Sequence, residues 1–152
     1  MTPSLIRAGV VAERIAWVRD MVGSVQSLPL TSFEEFVSDK RNVASAESYL
    51  RRGIEALLDL GRHILAKGFA VAVAEYKEIG TKLQEQGLLT AEEALLLRRI
   101  AGYRNRMVHF YHEVSQEELY RLSTDNLQDI ETILSALAKW LRTHPEKIDK
   151  EI

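Results

Sequence analysis

Within the stretch Arg104-Asn105-Arg106-Met107-Val108-His109-Phe110-Tyr111, two side chains carry complementary chemistry. Histidine has the ordinary pKa nearest neutrality, so His109 can take up or give back a proton at physiological pH. Arginine stays charged and presents a planar fork of donors that matches a phosphate, so Arg104 can hold one and offset charge developing on it. Asn105 stands beside the arginine and could orient either the phosphate or the histidine. Tyr111 adds a phenol two residues beyond the histidine.

The surrounding pattern must position these groups. From Ala91 to Val108 the apolar residues Leu96, Ile100, Tyr103 and Met107 recur at helical steps of three or four. The helical neighbours of Arg104 are Ile100, Ala101, Met107 and Val108, so the arginine leaves a largely apolar face. A charge there needs a partner or a purpose, because burying it unpaired is costly. Five helical steps leave the Arg104 and His109 side chains roughly 140° apart. On one straight helix they would not share a face. Either the helix ends or bends near His109, or a second copy contributes across a symmetric interface. Phe110, Tyr111 and His112, followed by a new helix start at Ser115, point to a helix end.

Residue types and spacing here resemble the R-x4-6-H signature of the HEPN superfamily of ribonucleases. More narrowly, Arg104-x4-His109-x-Tyr111 is similar to the R-x4-H-x-Y motif of HepT toxins, partners of minimal-nucleotidyltransferase (MNT) antitoxins in MntA–HepT pairs. The resemblance extends over nearly the whole chain and includes Asp59-Leu60-Gly61-Arg62-His63-Ile64. It implies the toxin component of a type VII-like toxin–antitoxin system, with RNA, transfer or messenger, as substrate. It implies that two protomers bring two motifs into one cleft, with Arg104 and His109 catalytic, Asn105 supporting and no cofactor. It also implies that Tyr111 accepts AMP from ATP through the cognate MNT antitoxin, which silences the toxin. RNA carries its own nucleophile, the 2′-hydroxyl, so histidine and arginine suffice in principle. The chain shows none of the clustered carboxylates typical of Mg²⁺ nucleases, and no metal site is expected.

Composition bounds these readings. A chain of 152 residues can bury one sizeable core, and 46% hydrophobic with 28% charged residues is ordinary for a water-soluble domain. A single domain over 1–152 is expected. No apolar run approaches the roughly 18 residues that cross a bilayer. Met1-Thr2-Pro3-Ser4 lacks the pattern of a secretory leader, so a cytoplasmic location without membrane contact is expected. There is no cysteine, hence no disulfide and no thiolate metal site. The net charge of −2 gives no overall basic footprint, so RNA contact must come from local charge. Arg98, Arg99, Arg104 and Arg106 crowd one stretch, and Arg99 and Arg106 share a helix face. Arg51-Arg52 and Lys40-Arg41 are further basic pairs, of the kind that usually face solvent.

Taken in order, Thr2-Pro3 can start a first helix whose stripe is Ile6, Val10, Trp17 or Val18, Met21 and Val25. Thr31-Ser32-Phe33-Glu34 forms a capping box for a short helix. A long amphipathic helix runs from about Asn42 to Lys67, with Gly53 and Gly61 marking close approaches of other helices. His63 reads as a hydrogen-bonded structural histidine. Residues 68–74 connect to a helix from Glu75 to Gln86, stopped by Gly87. Thr90-Ala91-Glu92-Glu93 and Ser115-Gln116-Glu117-Glu118 open the motif helix and one last helix that ends at His144-Pro145. A loose tail from about 144 to 152 follows.

The expected fold is an all-α antiparallel bundle of five or six helices in a symmetric homodimer. From spacing alone, Arg104 could simply bridge a carboxylate at a dimer interface, His109 cap a helix C-terminus and Tyr111 pack in the core. Two other function classes also stay open. One is an adaptor that binds nucleotide or RNA without turnover. The other is a non-catalytic helical subunit that positions substrate for a nucleotidyltransferase.

Overall fold

The computed structural model describes residues 5–109 and 114–150. Among them the chain forms seven α-helices: α1 (Ala8–Gln26), α2 (Phe33–Val37), α3 (Lys40–Phe69), α4 (Tyr76–Glu85), α5 (Ala91–His109), α6 (Gln116–Ser123) and α7 (Leu127–Thr143). α3, at 30 residues, is the axis of the bundle and touches every other helix. It buries Leu50, Ile54, Leu57, Leu58, Leu60, Ile64 and Leu65 in a core to which α1, α4, α5 and α7 add their own apolar stripes. Burying side chains of this size stabilises by roughly 1.5–3 kcal/mol each. The Gly53 and Gly61 expectations fit the packing. A Cβ on Gly53 would lie 3.1 Å from the Met21 Cβ, and one on Gly61 would lie 2.8 Å from Ile79 Cγ2.

Local capping chemistry starts the helices close to where the sequence predicts. Thr90 Oγ1 accepts from the Glu93 N–H at 3.1 Å, and Glu93 Oε1 accepts from the Thr90 N–H at 2.9 Å, a reciprocal box at the start of α5. Ser115 caps α6 by accepting from the Glu118 N–H at 3.2 Å. The box before α2 sits one residue later than expected: Ser32, not Thr31, is the cap, and its hydroxyl accepts from Glu35 N–H.

Three expectations need correction. α1 begins at Ala8, because Ile6–Arg7 is extended and pairs in parallel with Ile148–Asp149. Thr2 and Pro3 lie outside the described residues. The same pairing replaces the expected loose tail over residues 145–149, where Pro145–Lys147 forms a 3-10 turn and residues 148–149 form the second strand; residues 151–152 lie outside the described residues. Lys147 Nζ further donates to the Gly68 carbonyl at 3.1 Å, tying this segment to the end of α3. Finally, the last helix is two helices. The Thr124 and Asn126 backbone N–H groups fold back on Tyr120 and Arg121 carbonyls, and the chain restarts at Leu127.

α4 and α5 form a hairpin whose contact is tightest at Gly80. A Cβ there would lie 2.6 Å from the Ala94 carbonyl oxygen, a backbone atom that cannot step aside. Gly23, by contrast, lies exposed in α1 with nothing within 4 Å of a built Cβ. Gly80→Ala should therefore destabilise by at least about 2 kcal/mol. Gly23→Ala should stabilise by up to about 1 kcal/mol. Urea unfolding of the two variants should show opposite signs; equal effects would contradict this packing.

Candidate functional site

Charged residues on α3 recur at steps of four, four and three: Arg51, Glu55, Asp59 and Arg62. This spacing lays one polar stripe along a helix whose other faces are largely buried. α5 packs beside it and places Arg104 against the stripe. Arg104 Nε and Nη2 donate to Glu55 Oε2 at 3.0 and 2.8 Å, and Nη1 donates to Asn105 Oδ1 at 3.3 Å. Glu55 also receives Arg51 Nη1 at 3.3 Å on its other oxygen. The partner that Arg104 needs on its apolar face is thus a carboxylate of the same chain. A guanidinium has five N–H donors, so these bonds leave two for a ligand.

Tyr76, the first residue of α4, is the second organising group. Its hydroxyl donates to Asp59 Oδ1 at 2.7 Å. The guanidinium carbons of Arg104 and Arg62 each lie 4.7 Å from its ring centroid. Burial, followed by the hydrogen bond to Asp59, pushes the Tyr76 phenol up to about 12, against the pull of both arginines. Arg62 is held by the Ala74 carbonyl, to which Nη2 donates at 3.3 Å, and lies 3.8 Å from Asp59. Among the described residues its buried Nε has no hydrogen-bond partner.

These groups border a hollow of about 450 Å³ lined by Arg62, Ala74, Glu75, Tyr76, Arg104, Asn105 and His109. Arg104, Asn105 and His109 therefore meet at one concavity of a single protomer, despite the angle between the first and last. Asn105 lies between them on the helix surface, and the exposed His109 stands at the rim. The hollow combines two arginines, the carboxylate of Glu75, an amide, a phenol and an imidazole; the guanidiniums can meet an anionic group and the imidazole can transfer a proton. Tyr111 lies outside the described residues. Arg106 does not line this hollow. It forms a two-pronged pair with Glu118 at 2.9 Å on each prong. Those hydrogen bonds hold the Glu118 carboxyl below its ordinary range. His63 stands elsewhere and accepts the Arg7 backbone N–H on Nε2 at 3.1 Å. Sequence reading did not pick out Glu55, Asp59 and Tyr76, and it left Arg62 without a role. The available signal was the charged stripe on α3.

A family model described as ribonuclease HepT-like matches residues 15–137. Among solved structures, the chain is similar to a tri-AMPylated HEPN toxin from Shewanella oneidensis in complex with MNT antitoxin. The identity is 22% and the TM-score 0.77, over 86% of this chain and 97% of that one. A toxin–antitoxin complex with AMP-PNP is similar at 21% identity and a TM-score of 0.75, over 84% of this chain and 97% of that one. The cytosolic protein of unknown function YutE from Bacillus subtilis gives 18% identity and a TM-score of 0.73, over 88% and 90%. No curated protein sequence matches. At these identities the structural likeness concerns the fold.

Two measurements test the site geometry. A difference titration of phenolate absorbance between the protein and Tyr76→Phe should place the missing phenol near pH 12; a difference centred at the ordinary tyrosine value would contradict the burial of Tyr76 together with its Asp59 contact. His63 has its pKa lowered by burial first, then by Lys67, Arg14 and Arg7. A lowered pKa means that the folded state resists protonation. Its contribution is therefore full above the unfolded value of about 6.5 and is lost as pH falls through the lower folded value. Acidification should weaken the protein more than it weakens His63→Gln, as measured by urea midpoints against pH.

Proposed function

The chain belongs to the ribonuclease HepT-like family, and on that premise we propose that it is the toxin of a toxin–antitoxin pair, an endoribonuclease that works without a metal. The supporting observation is the hollow in which Arg104, Asn105 and His109 meet beside Tyr76 and Arg62. In this reading the RNA phosphate docks on the two free N–H groups of Arg104, which Glu55 holds in place. The 2′-hydroxyl loses its proton and attacks phosphorus. The bond to the 5′-oxygen breaks, and that oxygen takes up a proton. The products are a 2′,3′-cyclic phosphate and a 5′-hydroxyl. His109 carries one of the two proton transfers. A second copy, in a symmetric homodimer, supplies the histidine for the other. Asn105 orients Arg104 through its side-chain oxygen.

Control runs through Tyr111. The tyrosine oxygen attacks the α-phosphorus of ATP on a separate nucleotidyltransferase, pyrophosphate leaves, and AMP remains on the toxin. The added phosphate repels RNA and the bulk of the adenosine blocks its entry. The similar toxin from Shewanella oneidensis is itself AMPylated and bound to MNT antitoxin, which supports this partner for the present chain. The expected location is the cytoplasm. No helix among the described residues is long and apolar enough to cross a membrane.

Purified protein, shown by mass spectrometry to carry unmodified Tyr111, should cut RNA in EDTA at discrete positions and leave cyclic phosphate ends. Arg104→Ala and His109→Ala should each lower the rate about 10²–10⁴-fold. No cutting of several RNA classes by the folded, unmodified protein would replace this reading with a binding role. Equal cutting by all three proteins would place the activity elsewhere.

A further inference from the structure

We propose that a second hollow, on the α5 face that ends at His109, is a binding site for the sugar–phosphate backbone of single-stranded RNA outside the cleaved bond. The hollow, about 350 Å³, is bordered by Lys77, Leu95, Arg98, Arg99, Tyr103 and Arg106, with Gly102 at its floor. The inference rests on the nuclease reading only for the identity of the polyanion.

The charge distribution along α5 carries it. From Ala94 to His109 there are four arginines and no aspartate or glutamate. Two of the four are matched by carboxylates from other helices, Arg104 by Glu55 and Arg106 by Glu118. Arg98 and Arg99 are exposed, and among the described residues neither has a carboxylate within ion-pair distance; the same holds for Lys77 on α4. Three cations without an ion-pair partner gather around one hollow in a chain of net charge −2. Exposed Leu95, at 60%, and the half-buried Tyr103 give the hollow apolar surface between the charges. Cations that track a backbone beside apolar or aromatic faces that meet bases are the general means of holding single strands.

Direction supports the assignment. Arg98, Gly102, Asn105 and His109 follow at steps of four, three and four, one stripe on the helix surface. Arg98 lies about 16 Å from His109 along the axis. A strand lying on this stripe leads from the cation cluster to the imidazole without crossing the helix. Gly102 keeps the stripe low between its ends. A Cβ there would come within 3.7 Å of the Lys77 side chain and narrow the hollow. The site explains how a chain with no overall basic character could hold RNA: three cations without an ion-pair partner among the described residues gather around one hollow on the approach to the site.

The test measures anisotropy of a labelled single-stranded RNA of mixed sequence across a salt series. All proteins carry His109→Ala so that the RNA stays intact. Each phosphate contact contributes a slope of about 0.7 in log K against log salt for single strands. Lys77→Gln, Arg98→Gln and Arg99→Gln together should flatten the slope by about 2 and weaken binding at least about tenfold at low salt. Arg98→Lys with Arg99→Lys should keep most of the slope, which guards against a folding artefact. A triple control at Lys40, Arg52 and Lys139, equal in net charge, should leave the slope nearly unchanged. An unchanged slope in the hollow triple would overturn the proposal. So would a loss of affinity accompanied by dissociation of the oligomer on size exclusion, which would assign the face to a protein contact. RNA held by these cations without cleavage by the wild-type chain would remove the nuclease reading and leave the binding site standing. Cleavage with an unchanged slope would do the reverse.

Discussion

Arg104 and Glu55 meet at 2.8 Å with side chains only 19% and 25% exposed, and the site takes its form from the need to keep that pair together. Neither charge could sit alone between α3 and α5, because removing one partner leaves the other poorly solvated. The pair itself adds little net stability, since desolvation offsets much of the attraction. Its value is geometric. It fixes the arginine's fork at the edge of the hollow and draws Arg51 and Asn105 into the same network. Asp59 does for Tyr76 what Glu55 does for Arg104, one turn further along α3. The long central helix therefore supplies both the core of the fold and the acids that hold the working side chains.

The same balance explains the electrostatics of the whole chain. Acids and bases nearly cancel in number. Around the site, carboxylates of α3 hold arginines: Glu55 pairs with Arg104 and Asp59 with Arg62. Among the described residues no group of three or more His, Asp or Glu side chains could hold an ion. On the neighbouring face of α5, Arg106 is held by Glu118, while Arg98 and Arg99 have no carboxylate within ion-pair distance among the described residues.

Much of the fold was legible because helix signals are local. The apolar period of α3, the reciprocal box at Thr90 and the cap at Ser115 all depend on residues a few positions apart. One error came where distant segments decide, another where a local signal was outweighed. Nothing in Ile6-Arg7 announces a strand until Ile148-Asp149 is beside it. The break between α6 and α7 falls at Thr124-Asp125-Asn126, poor helix formers that a continuing leucine pattern concealed. At the site, residue types marked Arg104, Asn105 and His109, and all three border one hollow. The angle between Arg104 and His109 seemed to require a helix end or a second copy. A concavity wide enough to take in Asn105 between them accommodates both. Glu55 and Tyr76 were not legible, because their importance lies in contacts 49 and 28 residues away in sequence from Arg104. Tyr111 is adjacent in sequence but lies outside the described residues.

The central claim is that Glu55 orients Arg104 for catalysis rather than merely neutralising it. The measurement that bears on this most directly is single-turnover RNA cleavage by Glu55→Gln, together with RNA affinity in the His109→Ala background. An amide keeps the shape but gives up the charge-assisted bonds that fix the guanidinium. The cleavage rate should fall at least about tenfold, while RNA affinity stays the same or rises because a competing negative charge is gone. An unchanged or faster cleavage rate would contradict the account, for it would mean that Arg104 works as well without the carboxylate that holds it.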